Sequence, residues 1–154
     1  MTKTHHKTGQ PVLVAIDIAK HRNEVLIAVP GRRRRKRLTV RNVREDIDRF
    51  VETLTAFGVP VQVGFEPTGD YHRPLAWRLH QAGFELKLIS SLSLARTREA
   101  MHNSWDKNDP KDAQVMLHMM QTGLTQIWHD PLVHGVNDIQ ELSKTHAVIS
   151  QTKT

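Results

Sequence analysis

Short apolar runs and tight turns alternate in the first part of the chain. Residues 12–18 (VLVAIDI) and 24–29 (EVLIAV) are rich in β-branched side chains, which is typical of strands in a protein core. A turn-like sequence separates these two runs, and Pro30-Gly31 follows the second run. Residues 38–40 then continue the pattern as a third strand. The sequence therefore predicts an antiparallel meander of three strands.

Helical and strand patterns alternate after the meander. Apolar side chains recur at spacings of three and four over residues 43–54, with Asn42 as the predicted N-cap. A second helix with a proline in its first turn is predicted over residues 71–82. Short apolar runs at 61–65 and 84–89 predict strands on either side of that helix. Strands connected by helices indicate an α/β fold, here with a mixed five-stranded sheet and flanking helices.

Three more helical segments are predicted after the fifth strand. Ser91 or Ser93 is the predicted N-cap of the first, which ends near Met101, and Asp109-Pro110 opens the second, which runs through Met120. Residues 137–154 also carry a helical pattern, but no glycine, proline or other stop signal ends it. We therefore expect the chain to be a fragment of a longer protein.

Charge adds one local feature to this pattern. The chain has 154 residues, with 22 Lys and Arg against 16 Asp and Glu, and its net charge is +6. An unbroken basic run accounts for the whole excess: Arg32, Arg33, Arg34, Arg35, Lys36 and Arg37. Such a run can bind nucleic-acid phosphates in a salt-dependent manner, or it can be a solvated hairpin tip. Four acidic residues elsewhere in the chain, which are candidates for phosphoryl chemistry, favour nucleic-acid binding.

Composition excludes several other classes of protein. A chain of this length suits one domain with one core. It has no stretch of about 20 apolar residues, so no membrane span is expected. The N-terminus lacks the apolar segment of a secretory signal, and the absence of cysteine excludes disulfides and thiolate metal sites. These features are consistent with a cytoplasmic protein.

Four acidic residues are candidates for chemistry. Asp17 lies within the most apolar predicted strand, where a carboxylate is costly unless it is paired or bound to a metal. Glu66 ends another predicted strand, because proline and glycine follow it. Asp109 and Asp112 are three residues apart at a predicted helix start and project to the same side.

Each acid also has an ordinary structural interpretation. Backbone amides or Lys20 could satisfy Asp17, and the turn after Glu66 could satisfy that carboxylate. Asp109 could be an N-cap, with Asp112 at the capping-box position of the same helix. Taken together, however, the four carboxylates are the oxygen ligands that Mg²⁺ or Mn²⁺ prefers for phosphoryl chemistry.

Three sequence blocks resemble those of a known family. The blocks are residues 15–20 (AIDIAK), 64–72 (GFEPTGDYH) and 107–113 (KNDPKDA). Their order and spacing are similar to the three acidic blocks of the IS110-type transposases. The resemblance covers roughly residues 12–149, and the middle block is its most specific part.

The resemblance implies a fold, a site and partners. The fold is the RuvC-like, RNase H-like catalytic domain, here at residues 11–130 after a disordered tail at 1–10. The site is a tetrad of ligands for Mg²⁺ or Mn²⁺ that consists of Asp17, Glu66, Asp109 and Asp112. Family members are DNA recombinases guided by a structured non-coding RNA, and we expect the full-length protein to be a homo-oligomer.

The resemblance also implies a part that this chain lacks. Family members carry a C-terminal domain with a serine expected to act as the nucleophile, and no serine here matches that position. Residues 131–154 resemble the start of the coiled-coil linker between the two domains.

Two other functions are compatible with parts of the pattern. A non-catalytic module of the same fold could bind RNA through the basic run. An actin-like ATPase would share the first-strand aspartate, but the chain has no glycine-rich phosphate loop.

Overall fold

The computed structural model describes residues 9–101 and 109–128. Its first three strands form an antiparallel meander: β1 (Val12–Asp17), β2 (Arg22–Ala28) and β3 (Lys36–Arg41). The next elements are α1 (Arg44–Thr55), β4 (Val61–Phe65), α2 (Arg73–Gln81) and β5 (Glu85–Leu88). The remaining described elements are α3 (Ser91–Ala100), α4 (Lys111–Gln121) and the short strand β6 (Gln126–Ile127).

The strands form one mixed sheet in the order β3-β2-β1-β4-β5-β6. β1, β4 and β5 run parallel, whereas β2 runs antiparallel to both of its neighbours. This order and direction of the first five strands are those of the RNase H-like fold. The predicted class is therefore confirmed, and β6 adds a two-residue antiparallel edge to the predicted five strands.

Two apolar cores cover the two faces of the sheet. Alternate residues of β1 point to opposite faces, so Val12, Val14 and Ile16 pack in the core that includes the buried faces of α1 and α2. Ala15 on the other face packs in a second core with the buried side chains of α4. Since α4 contacts β1, β2 and β4, its position on the sheet is fixed by packing.

The close approach of α4 to the sheet depends on a glycine in β4. A Cβ atom added to Gly64 would lie 2.5 Å from the sulfur of Met120 in the last turn of α4. Gly64 pairs with Ala15 of β1, so the two smallest residues of the central strands lie side by side under the helix. The small side chains allow the helix to pack directly on the sheet.

Helix α1 begins differently from the prediction. The prediction of Asn42 as the N-cap is wrong, because the N-cap is Val43, which makes no side-chain capping bond. The Asn42 side chain instead donates to the carbonyl oxygens of Ala19 and Lys20, both at 2.8 Å. Long-range bonds to the β1–β2 turn have therefore displaced the local cap.

The start of α3 differs from its prediction, and both chain termini lie largely outside the described residues. The prediction of Ser91 or Ser93 as the N-cap of α3 is wrong, because the N-cap is Ser90, whose hydroxyl accepts a bond from the Ser93 amide at 3.1 Å. No helix within residues 9–101 and 109–128 is long and apolar enough to cross a membrane. The predicted tail at 1–10 lies mostly outside the described residues, and the linker at 131–154 lies entirely outside them.

We expect Gly64→Ala to destabilise the domain. The added methyl group would force Met120 or the whole of α4 to shift, which typically costs about 1–3 kcal/mol in a well-packed core. Urea unfolding at neutral pH would measure the change in the free energy of unfolding.

The double variant Gly64→Ala/Met120→Ala tests the cause of this loss. If contact with Met120 is responsible, the double variant should lose less stability than the sum of the two single variants. Additive losses would mean that the added methyl group does not act through Met120.

Candidate metal centre

Asp17 and Glu66 lie at the carboxyl ends of two neighbouring parallel strands. Ile16 of β1 pairs with Phe65 of β4, so the next residue on each strand is one of these acids. Ala15 and Gly64 both lie under α4, and strand alternation carries Asp17 and Glu66 to the same face. The prediction that Glu66 ends a strand is confirmed, since β4 ends at Phe65.

The turn that follows Asp17 is held by a buried amide network. Asn23 is fully buried, and its side-chain oxygen accepts a bond from the amide of Ala19 at 3.1 Å. Its side-chain nitrogen donates to the Asn42 side-chain oxygen at 2.7 Å. Because β1 ends at Asp17, this network limits the movement of the chain immediately beyond the carboxylate.

The start of α4 presents Asp112 in its first turn. The interpretation of Asp109 as an N-cap is wrong, because the N-cap is Pro110 and it makes no side-chain capping bond. The backbone carbonyl of Asp109 accepts a bond from the side chain of Gln114 at 2.9 Å. Asp112 does not complete a capping box either, since its carboxylate is bonded to an arginine.

That arginine is Arg98, in the last turn of α3. Its Nη2 and Nε both donate to Oδ1 of Asp112, at 2.7 and 3.0 Å. The side chains remain 45% and 36% exposed, respectively. The pair therefore joins two packed helices at a place that water can reach.

Burial raises the pKa of the Asp17 carboxyl above its ordinary value. Three neighbouring carboxylates raise this pKa further, in the order Asp112, Glu66 and Glu24. The positive charge of Arg98 opposes the increase. Three of the four predicted ligands, Asp17, Glu66 and Asp112, therefore interact electrostatically at this end of the sheet.

The fourth predicted ligand, Asp109, stands apart from this electrostatic interaction. Asp109 precedes α4 but is not among the charges that shift the pKa of Asp17. Within the described part of the chain, no three His, Asp or Glu side chains are close enough together to hold a metal ion. The carboxylates thus share one end of the sheet without forming a closed set of ligands.

Two residues of this cluster were not predicted from sequence. Glu24 lies opposite Asp17 in the antiparallel pair of β1 and β2, and its carboxylate accepts a bond from Thr39 at 3.0 Å. The alternation within β2 could have identified Glu24 once the register was known. Arg98 carries no local signal, because its contact with Asp112 depends on the packing of α3 against α4.

The basic run begins at the other end of the sheet, and its last two residues, Lys36 and Arg37, lie in β3. Its first residues form the turn between β2 and β3, and Ala28 at the end of β2 pairs with Leu13 near the start of β1. Asp17 is at the far end of β1, roughly 15 Å away along the strand. A groove of about 600 Å³ beside the turn is lined in part by Arg32, Arg33 and Arg35.

The sequence of the chain identifies its family. Residues 14–154 match the family of IS110-type DEDD transposases. The chain belongs to this family. The match includes all four acids, so the family resemblance of the three sequence blocks is confirmed. No curated protein matches the chain in sequence.

Solved structures show a more distant similarity. YeaZ from Pseudomonas aeruginosa is 18% identical over 62% of this chain and 50% of its own, with a TM-score of 0.38. A protein described as uncharacterized, with similarity to peptidase YEAZ from Pseudomonas aeruginosa, is 16% identical over the same shares, with a TM-score of 0.37. The chain therefore spans about half the length of each of these structures.

We expect Asp17→Asn to stabilise the IS110-family domain more strongly as the pH rises. The raised pKa of Asp17 means that the folded state binds this proton more tightly than the unfolded state. Ionisation of Asp17 therefore lowers the stability of the wild type, and this cost is absent well below the ordinary pKa of 3.8. Urea unfolding at several pH values between acid and neutral would measure the difference between variant and wild type.

Asp46→Asn provides a control of opposite sign. Side-chain and backbone hydrogen bonds from Arg41 lower the pKa of Asp46, so its ionised form stabilises the folded state. Asp46→Asn should lose stability relative to the wild type as the pH rises. Parallel pH profiles for the two variants would contradict the electrostatic assignment of Asp17.

Proposed function

We propose that this chain is the metal-dependent catalytic domain of an IS110-family DNA recombinase. The proposal is supported by the neighbouring positions of Asp17 and Glu66 at the ends of β1 and β4 and by the charge interaction of Asp17 with Asp112. The carboxyl ends of parallel strands are a common location for binding sites in α/β proteins. Membership of a transposase family supports DNA as the substrate.

The donor chemistry supports a hard divalent cation. Asp17, Glu66, Asp112 and, from the sequence blocks, Asp109 would be its ligands, and Mg²⁺ or Mn²⁺ prefers carboxylate oxygens. Burial, and after it the neighbouring carboxylates, raise the pKa of Asp17, and a bound cation would offset both effects. The spacing of the side chains fits less well, since a closed set of three is not formed among the described residues.

A bound cation would stabilise the negative charge that develops at a DNA phosphodiester during strand cleavage. The protein's own contribution is to hold the ligands in place. The ladder between β1 and β4 fixes Asp17 beside Glu66, and the Asn23 network restrains the turn after Asp17. Packing of α4 on the sheet fixes the backbone of Asp112. The attacking serine would come from a second domain of the family.

The basic run, Arg32 to Arg37, would bind the backbone of a nucleic acid away from the acids. Arg32, Arg33 and Arg35 line an open groove, and all three side chains are exposed. Arginines at such a site neutralise phosphates without reading sequence. Because the turn that carries Arg32, Arg33 and Arg35 is roughly 15 Å from Asp17 along β1, it would hold a different part of the substrate or the structured guide RNA.

Titration with Mn²⁺ tests the metal centre. We expect Mn²⁺ to raise the melting temperature of the wild type, because a ligand that binds only the folded state stabilises it. Asp17→Asn should remove most of this increase. Differential scanning fluorimetry with and without Mn²⁺ would measure the shift for each protein.

Asp48→Asn is the matched control for this titration. Asp48 is a carboxylate of similar exposure, but it pairs with Arg78 and Arg44 on the opposite side of the sheet. Its variant should keep the wild-type response to Mn²⁺. An equal response from all three proteins would show that Mn²⁺ does not bind at Asp17.

Neutralising the basic groove tests nucleic-acid binding. We expect the triple variant Arg32→Gln/Arg33→Gln/Arg35→Gln to bind structured RNA more weakly and with a flatter salt dependence. Each lost phosphate contact should reduce the salt slope by roughly 0.7 to 0.9. Fluorescence anisotropy at several KCl concentrations would give the slopes.

A second triple variant, Arg44→Gln/Arg49→Gln/Arg73→Gln, removes the same charge from other exposed positions. It should keep a slope close to that of the wild type if binding is local to the groove. Equal losses from both triple variants would mean that only the net charge of the protein matters.

A non-catalytic RNA-binding module of the same fold is the second candidate. It is favoured by the pairing of Asp112 with Arg98 and by the open spacing of the acids. This candidate predicts RNA binding through the basic groove without any response to Mn²⁺. The two titrations therefore separate the two functions.

A further inference from the structure

We propose that Arg98 is a positioning residue that competes with the divalent cation for Asp112. This inference rests on the proposed metal centre and adds a residue to it. In the metal-free protein, the guanidinium is the counter-ion of the acidic cluster. Metal binding then requires Arg98 to release the Asp112 carboxylate.

The contacts of Arg98 are the first support. Two of its nitrogens donate to the same oxygen, Oδ1 of Asp112, at 2.7 and 3.0 Å. An oxygen that accepts two bonds from a guanidinium is a poor ligand for a cation at the same time, because both cations would share one side of the carboxylate. Oδ1 of Asp112 can therefore bond either to Arg98 or to a metal ion, but not to both at once.

The charge of Arg98 is the second support. Its guanidinium lies 2.7 Å from the carboxylate of Asp112, which shares one end of the sheet with Asp17 and Glu66. Arg98 thus offsets part of the repulsion among the acids when no metal is present. A divalent cation would provide the same compensation more strongly, since its charge is twice as large.

The exposure of the pair is the third support. Arg98 and Asp112 remain 45% and 36% exposed, so water can solvate both groups when the pair opens. Exposed ion pairs contribute little to stability and can be replaced. Arg98 is also in the last turn of α3, where a long side chain can turn away without movement of the sheet.

Mn²⁺ affinity measured directly would test the proposal. Arg98→Gln removes the competing charge, and we expect it to bind Mn²⁺ roughly tenfold more tightly than the wild type. Arg98→Lys keeps the charge but loses the two-nitrogen contact, so its affinity should lie between these two values. Free Mn²⁺ would be measured by electron paramagnetic resonance during titration of the 154-residue chain.

Arg78→Gln is the matched control. Arg78 also pairs through Nε with an aspartate of similar exposure, Asp48 at 3.1 Å, on another part of the surface. Its variant loses the same charge and one helix-to-helix ion pair, but its Mn²⁺ affinity should stay within about twofold of the wild type. If Arg98→Gln and Arg78→Gln raise the Mn²⁺ affinity equally, net charge alone explains the effect, and the proposed role of Arg98 is overturned.

The remaining outcomes separate this inference from the proposed function. Measurable Mn²⁺ binding by the wild type, with equal or weaker binding by Arg98→Gln, would overturn the inference and leave the metal centre intact. Absence of Mn²⁺ binding from the wild type and both Arg98 variants would overturn both proposals. If Arg98→Gln does not fold, the test rests on Arg98→Lys. The proposal then requires Arg98→Lys to bind Mn²⁺ more tightly than the wild type, and equal or weaker binding would overturn it.

Discussion

The parallel ladder between β1 and β4 is the constraint on which the candidate centre depends. Its register places Ile16 beside Phe65, and the next residues are Asp17 and Glu66. A shift of one residue would turn one of these acids to the opposite face, because side chains alternate along a strand. Gly64 and Ala15 lie within the same ladder and provide the space for α4. One set of backbone hydrogen bonds therefore positions both strand acids and the helix that carries Asp112.

This arrangement has an electrostatic consequence. The backbone holds Asp17 in a partly buried position near other carboxylates, so burial first and repulsion second raise its pKa. The structure offsets part of that increase with Arg98, which α3 brings to Asp112. The acids and the arginine are best understood as one charge system, in which the guanidinium occupies the role that the proposed metal would take.

The parts of this system that the sequence could predict are those that depend on local pattern. Glu66 follows an apolar run, so its place at a strand end could be inferred from residues 61–65, whereas the pattern of residues 12–18 puts Asp17 inside a strand that in the structure ends at Asp17. Contacts between distant segments could not be inferred in this way. Asn42 has the local signal of an N-cap but bonds to the β1–β2 turn, and Asp112 has that of a capping box but bonds to Arg98. In both cases a long-range partner competes successfully with the local backbone.

The separation of charge along β1 bears on how such a domain could handle a polyanion. The acidic end would repel a phosphate backbone unless a cation were bound, whereas the basic groove at the other end attracts it with or without a metal ion. A nucleic acid held only at the groove would therefore remain away from the acids until their charge was compensated. Arg98 provides a single positive charge toward that compensation, and a divalent cation would provide two. On this argument the charge state of the acidic end, rather than the affinity of the basic groove, determines when a phosphodiester can approach Asp17.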